Sequence, residues 1–312
     1  MNRNHEFSYR SMRKDEWQEV AELIYHSTNS WYSTNGKETI FKGPPADTLL
    51  FCQVYEDIDP GCCLIAQCKE TGKIAGSCFY HPRKTHVSLG IMNVSPDFFG
   101  QGIARRLLTK IIQMADDQSL PVRLVSSAQN LDSFSLYTRQ GFSPTQAFQD
   151  MYIEVAAEGF HPEISNEFEI MNARLDDVAE MVSLEKRLCG IERTEDFEYF
   201  IENKRGIWNT VVCRDTRGSL LGFLGSVDHP ASRMIGPGVA ENEQVTMELL
   251  ATLLNRFHGK CPVFLLPVTA KKAVQTAYSW GARNCEIHFS QCRGENQPPE
   301  GIVMPTFMPE TG

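Results

Sequence analysis

The sequence predicts an α/β protein, with an α+β mixed sheet, in which one fold is used twice. Three observations support this class. Short runs with strand-like alternation lie between stretches whose apolar residues recur at helical spacing. Hairpin turns join several of the strands, which makes much of the sheet antiparallel. The order of elements then restarts after residue 166, and 312 residues suffice for two domains of ordinary size.

The first half can be divided into elements from its periodicity. Residues 7–13 alternate as a strand, a helix opens at Asp15, and residues 27–45 form a long polar and aromatic excursion. The remaining strands are predicted at 64–68, 74–81, 86–94, 123–127 and 151–155. Helices are predicted from the glycine turn near residue 100 to about residue 116, and at 133–140.

Four local matches in a common order indicate an internal duplication. In the alignment of the two halves, Arg13 matches Arg174 and residues 71–76 match 217–222. Leu107-Leu108 then match Leu249-Leu250, and Gly141 matches Gly281. Two unrelated α/β halves are the alternative. The predicted organisation is a first domain at 1–160, a linker at 161–166, a second domain at 167–293, and an extended or mobile tail at 294–312 that is rich in Pro, Glu and Gly.

Composition narrows the class of partner. The net charge of −9 disfavours nucleic acid and anionic membranes. The ten cysteines show no CxxC spacing, so we expect buried thiols in a reducing cytoplasm, with no metal site. The first six residues lack an apolar signal region, and no apolar run reaches the length of a membrane span.

The most informative segment runs from Val94-Ser95-Pro96 through Gly100 and Gly102 into a predicted helix. Small residues let a ligand approach the backbone closely, and the amides at a helix N-terminus have no internal partner. Such a turn suits a phosphate or pyrophosphate. A dinucleotide fingerprint is excluded because Arg105 stands at the third glycine position, and a nucleoside-triphosphate loop is excluded because Gly-Lys-Ser/Thr is absent.

This segment resembles the coenzyme A motif of the GNAT superfamily of N-acetyltransferases, Gln/Arg-x-x-Gly-x-Gly/Ala. The resemblance implies tandem GNAT acyl-CoA N-acyltransferase folds and acetyl-CoA (coenzyme A) as cofactor. Phe99 departs from the pattern, since the family usually has Gln or Arg there. The implied pyrophosphate contacts are the backbone amides of the turn and first helical residues, Gly100, Gln101, Gly102, Ile103, Ala104 and Arg105. The implied pantetheine-pairing strand is Met92-Asn93-Val94.

A second segment, from Asn130 to Phe142, resembles the GNAT signature Asn-x-x-Ser/Ala-x-x-Leu-Tyr-x-x-x-Gly-Phe. By this resemblance, Asn130 and Ser133 contact the cofactor arm, and Tyr137 protonates the departing thiolate. Taken alone, Tyr137 is better explained as an amphipathic core tyrosine, and its spacing from Asn130 and Gly141-Phe142 is what favours the functional role. His81 and His86, which flank a short turn, are candidate proton acceptors, although exposed turn histidines are the plainer interpretation.

The second half departs from both motifs. The repeat alignment places Asn242 and Gln244 where Gly100 and Gly102 stand, and Ala277 where Tyr137 stands. Glu243 also puts a negative charge near the position of a pyrophosphate. We therefore expect a degenerate GNAT-like domain that does not bind coenzyme A in the usual way.

The sequence thus predicts an acetyl-CoA-dependent N-acetyltransferase that uses direct attack in a ternary complex. A small-molecule amine is the favoured acceptor and a peptide amine the alternative. The competing hypothesis is a non-catalytic acyl-CoA-binding sensor or protein-interaction module, because Phe99 replaces a polar residue and the sequence identifies no general base. Both a monomer and a homodimer are compatible with the sequence.

Overall fold

The computed structural model describes residues 5–163, 167–306 and 308, and its elements run twice through the same order. The first repeat contains β1 (Phe7–Ser11), α1 (Trp17–Thr34), α2 (Leu49–Ile58), β2 (Cys63–Cys68), β3 (Ile74–Pro82), β4 (Val87–Val94), α3 (Ile103–Asp116), β5 (Val122–Ser127), α4 (Leu131–Arg139) and β6 (Ser143–Tyr152). The second repeat contains β7 (Glu169–Asn172), α5 (Val178–Cys189), α6 (Thr194–Glu202), β8 (Trp208–Arg214), β9 (Leu220–His229), β10 (Ser232–Ala240), α7 (Glu243–Leu254), β11 (Val263–Pro267), α8 (Lys271–Ser279) and β12 (Arg283–Arg293). A short strand, β13 (Ile302–Met304), follows. The one-to-one order of strands and helices confirms the duplication.

The chain packs as two compact units that do not coincide with the repeats. Among the described residues, unit 1 holds 5–82, 87–122 and 308, and unit 2 holds 83–86, 123–163 and 167–306. The boundary between repeats predicted at 161–166 stays a prediction, because residues 164–166 lie outside the described residues.

Unit 1 is an antiparallel sheet in the order β1-β2-β3-β4 with helices packed on it. The buried face of α3 carries Leu107, Leu108 and Ile111. Close packing of α3 on β3 requires glycine at position 76, since a Cβ there would lie 2.7 Å from Ile103 Cγ2. The rings of Tyr55 and Phe79 pack with centroids 4.7 Å apart.

A carboxylate before the first helix closes a capping box in each repeat. Glu16 accepts the backbone N–H of Arg13 at 2.8 Å, and Asp177 accepts that of Arg174 at the same distance. Glu16, only 6% exposed, also accepts two hydrogen bonds from the Arg10 guanidinium. These bonds from Arg10, opposed by partial burial, hold the pKa of the Glu16 carboxyl below its ordinary value.

We expect Glu16→Gln to destabilise the protein at neutral pH by about 1.5–3 kcal/mol, the range for hydrogen bonds to a charged group. A lowered folded-state pKa contributes stability above the unfolded-state pKa of about 4.3 and loses it as pH falls through the folded-state value. The difference in urea midpoint between wild type and variant should therefore shrink on acidification. The exposed Asp15→Asn variant is the control. A constant difference from pH 7 down to pH 3 would contradict the assignment.

Unit 2 contains strands of both repeats in the order β5-β12-β6-β11-β10-β9-β8-β7, with β13 paired to β10. The final strands are exchanged. β6 of the first repeat pairs antiparallel with β11 and β12 of the second, and β12 lies between β5 and β6. Each repeat therefore completes its sheet with a strand of the other.

A buried ion pair fixes the turn between β3 and β4 within unit 2. The Arg83 guanidinium donates from Nε to Asp196 Oδ2 at 3.2 Å and from Nη2 to Oδ1. The two side chains are 3% and 2% exposed. Thr85 Oγ1 in the same turn accepts the backbone N–H of Glu192 at 3.1 Å. This turn of the first repeat is thus anchored to α6 of the second.

We expect Asp196→Asn to cost about 3–5 kcal/mol, because it takes the Asp196 charge away from a buried guanidinium. The measurement is the urea midpoint of the full chain. Glu38→Gln, which breaks the exposed pair with Lys42, should leave the midpoint unchanged. Equal midpoints for Asp196→Asn and wild type would show that the pair contributes nothing.

Several elements differ from the sequence prediction. α1 continues to Thr34, so nearly half of the predicted polar excursion is helical. α2 is an additional helix that the periodicity does not indicate, and the strand predicted at 151–155 begins eight residues earlier, at Ser143. β13 lies in the predicted tail. None of the described helices has both the length and the hydropathy of a membrane span.

The ten cysteines, all within the described residues, are free as the sequence predicts, and seven of them are buried. Burial raises the pKa of the Cys52 thiol to about 12, which keeps that thiol protonated. Cys261 and Cys285 are exposed, against the expectation of burial.

Candidate active site

The glycine turn of unit 1 forms the N-terminus of α3. Gly100 and Gly102 have φ values of +77° and +74°, in the left-handed region that disfavours any residue with a Cβ. Gly102 is the N-cap residue, no described side chain caps the helix, and its first turn contains no acidic residue. The first amides of α3 therefore keep the unsatisfied donors and the partial positive charge that bind an anion.

The other predicted residues of this motif differ in exposure. Phe99 is 52% exposed, whereas Ile103 is 2% exposed and belongs to the core. Gln101 Oε1 accepts the backbone N–H of His5 at 3.1 Å, which orders the turn. Ala104 is half-buried and Arg105 is exposed. Ile103 can therefore contribute its backbone to a ligand, and Phe99 can contribute an apolar surface.

The predicted pantetheine-pairing residues form the end of β4. The β3–β4 register shifts between the pairs Tyr80↔Leu89 and Cys78↔Met92, so β4 carries one extra residue near Gly90. Beyond this bulge Met92, Asn93 and Val94 are half-buried. Asn93 Nδ2 donates to Ser27 Oγ at 2.5 Å on α1, which holds this side chain toward that helix.

The second predicted motif forms α4, in unit 2. Asn130 is its N-cap residue, and its Oδ1 accepts the backbone N–H of Ser133 at 3.1 Å. Tyr137 is 8% exposed, and its ring lies 5.9 Å from that of Phe142. Because the glycine turn belongs to unit 1, joint use of both motifs by one ligand stays a prediction.

The second repeat has a different structure at the equivalent of the glycine turn. Gly222 and Gly76 occupy equivalent sheet positions, and a Cβ on each would meet the first turn of the next helix, at Val245 and Ile103 respectively. With Val245 equivalent to Ile103, α7 begins two residues earlier than α3. The segment that is a glycine turn in the first repeat is helical here.

Side chains satisfy the helix ends of the second repeat. Asn242 Oδ1 caps α7 by accepting the Val245 N–H at 3.0 Å. The Glu243 carboxylate accepts the Ala273 N–H at 2.6 Å, at the start of α8. The sequence predicts side-chain crowding and negative charge where the first repeat has its glycine turn. The structure adds that the Asn242 and Glu243 side chains both act as helix caps.

The two histidines considered as proton acceptors are buried, against the expectation of an exposed turn. His81 and His86 are 2% and 1% exposed. His81 Nδ1 lies 2.6 Å from Asp59 Oδ2, a partner that no sequence motif indicates.

The structure also brings together three potential metal ligands that the sequence does not indicate. The ligand atoms of Asp150, Glu286 and His288 lie within 4.8 Å of one another. Asp150 pairs with His288 at 2.8 Å, and Ser127 donates a hydrogen bond to Glu286. Burial raises the pKa of Asp150. The absence of a metal site, expected from the sequence, stays a prediction.

Two family models match the chain, one in each repeat. The model described as the acetyltransferase (GNAT) family matches residues 22–142, and the acetyltransferase (GNAT) domain model matches residues 181–300. The chain therefore belongs to the GNAT superfamily, as a two-domain member.

Similar proteins agree with this assignment. The uncharacterized N-acetyltransferase YitH of Bacillus subtilis (strain 168) is 22% identical over 167 residues, which span 53% of this chain and 55% of that relative. The match thus covers about half the length of this curated relative. Among solved structures, a GCN5-related N-acetyltransferase from Sphaerobacter thermophilus aligns with TM-score 0.64 and 14% identity over 94% of this chain and 98% of that chain.

A tandem GNAT protein from the clavulanic acid biosynthesis pathway aligns with TM-score 0.60 and 12% identity, over 93% of this chain and 98% of that chain. At such identities these two structures show the fold alone. The α/β class with tandem GNAT folds is confirmed.

Proposed function

We propose that this protein is an acetyl-CoA-dependent N-acetyltransferase whose first repeat is catalytic. The observation that carries the proposal is the N-terminus of α3, which combines two left-handed glycines, no cap from a described side chain and no acidic residue in its first turn. A helix end of this kind suits a pyrophosphate. The half-buried end of β4 supports the same assignment, since its backbone can pair with an extended ligand arm.

The residues present therefore fit coenzyme A. The backbone amides from Gly100 to Arg105 would hold the pyrophosphate, with Phe99 as an apolar neighbour. Met92, Asn93 and Val94 would pair with the pantetheine arm, and Asn130 and Ser133 at the start of α4 would contact it. When bound, acetyl-CoA supplies the acetyl group as an activated thioester.

The chain's own groups then have three tasks. They hold a neutral acceptor amine for direct attack on the acyl carbon, without a covalent enzyme intermediate. A backbone amide near Met92 to Val94 stabilises the developing oxyanion. The C–N bond forms as the C–S bond breaks, Tyr137 Oη donates a proton to the departing sulfur, and the proton that the amine nitrogen loses restores the phenol.

The acceptor class follows from charge and is part of the proposal. The net charge of −9 favours a cationic small-molecule amine, with a peptide amine as the second class. The proposed setting is the cytoplasm, and the proposed state is a monomer or a homodimer.

A thiol-release assay tests the proposal. The full chain is incubated with acetyl-CoA and a mixture of polyamines, aminoglycosides and peptide N-termini, and free thiol is followed over time. We expect amine-dependent release above the rate without amine. Phe99, exposed at a position that is polar in the family pattern, favours a sensor as the second candidate function. Binding of acetyl-CoA without amine-dependent release would favour that sensor over the enzyme.

A further inference from the structure

The second repeat has a gap in its sheet that the chain itself fills. In the part of the chain that the structure describes, β10 and β11 pair at two positions, Met234↔Val263 and Ile235↔Phe264. The β9–β10 register then shifts between Ile235 and Gly238, so β10 carries a bulge like that of β4. Beyond the bulge, β10 pairs instead with β13, antiparallel over three residues.

Sheet register shows which part of the first repeat corresponds to this pairing. Val94 pairs with Gly76, and Ala240 pairs with Gly222. Since the two glycines are equivalent, Met92–Val94 corresponds to Gly238–Ala240. The residues that meet β13 are thus the counterparts of those proposed to pair with pantetheine.

Residues 92–94 and their counterparts 238–240 also differ in burial, as expected if β13 covers only the second segment. Met92 to Val94 are half-buried, whereas residues 238–240 are buried. On the β13 side, Met304 is 2% exposed and Thr306 is fully buried. The pairing edge is covered in the second repeat and partly accessible in the first.

The contact between β10 and the segment that contains β13 is closely packed. A Cβ at Gly301 would lie 2.5 Å from the Ala240 carbonyl oxygen. A Cβ at Gly236, in the bulge, would lie 2.7 Å from the Pro305 carbonyl oxygen. Approaches this close require glycine on both sides, so the sequence is adapted to a resident strand.

We propose that residues 301–306 are the resident ligand of the second repeat, so that the chain binds acyl-CoA in the first repeat alone. This inference rests on the proposed function for its cofactor. β13 takes the place of an extended ligand arm, while Asn242 and Glu243 take that of an anion at the helix ends. The second repeat therefore has a strand in place of the ligand arm and two capping side chains in place of the anion.

Hydrogen–deuterium exchange on the full chain, with and without saturating coenzyme A, tests the inference. We expect amides of residues 238–240 and 302–304 to exchange at least ~100-fold more slowly than in an unfolded chain, with and without the ligand. Among residues 92–94, the amides that do not donate to β3 should slow only when coenzyme A is present. Faster exchange of 302–304 on adding coenzyme A would overturn the inference, because it would show that the ligand displaces the strand.

Calorimetric stoichiometry separates failure of the inference from failure of the proposed function. We expect one equivalent of coenzyme A per chain, and none for Gly102→Glu. Two equivalents, or one equivalent retained by Gly102→Glu, would overturn the inference and leave cofactor binding intact. No binding by the wild type would remove the proposed function, and slow exchange at 302–304 would still support a resident strand.

Discussion

Replacing Gly102 by glutamate is expected to raise the dissociation constant for coenzyme A at least 100-fold from a micromolar value. Two effects act together. A residue with a Cβ at φ +74° costs about 1–2 kcal/mol of backbone strain. The new carboxylate would stand at the helix end proposed for the pyrophosphate, where like charges repel by up to a few kcal/mol. A 100-fold change corresponds to about 2.7 kcal/mol.

Titration calorimetry with coenzyme A and acetyl-CoA measures this change. Gly72→Glu is the matched control, since Gly72 has φ +71°, lies in a hairpin turn of the same unit, and a Cβ there would meet no described atom within 4 Å. It adds the same charge and comparable strain away from α3. Equal affinities for Gly102→Glu and wild type would remove the glycine turn from the binding site.

Tyr137→Phe is expected to lower kcat by about 10²–10⁴-fold, the usual contribution of a positioned general acid. Affinity for acetyl-CoA should stay within about twofold, because the ring that packs against Phe142 is retained. Steady-state thiol release and calorimetry on the same preparation measure the two quantities.

Tyr278→Phe serves as the control for loss of a phenol. Tyr278 lies near the end of α8 and donates to Gln149 at 2.9 Å. This variant should keep full turnover. Unchanged turnover in Tyr137→Phe would refute the acid role and return Tyr137 to the status of a core tyrosine.

Local chemistry made the glycine turn and α3 predictable from sequence. Left-handed glycines, a missing cap and a strongly amphipathic helix are all encoded between Gly100 and Asp116. The duplication was predictable for a similar reason, since its markers recur at equivalent turns and in equivalent helices. The match of Arg13 with Arg174 is weak evidence in a sequence alignment. In the structure it corresponds to two equivalent capping boxes.

The features that the sequence did not predict depend on partners that are distant in sequence. α1 continues through polar residues that have partners outside the helix, as when Asn29 Nδ2 donates to the Phe41 carbonyl at 3.0 Å. β13 is three residues long within a Pro- and Glu-rich segment and becomes a strand only on β10. Asp59 is recognised as a partner of His81 only once the fold brings the two together.

The exchange of final strands has a consequence for biosynthesis. β6 leaves the ribosome with one of its sheet neighbours, β12, still about 140 residues from being made. At translation rates of about 5–20 residues per second, the unpaired strand waits on the order of 10 s. During that interval its edge is open to other chains. Newly made protein should therefore depend on chaperones until residue 293 has emerged, and a chain that stops between the repeats should aggregate.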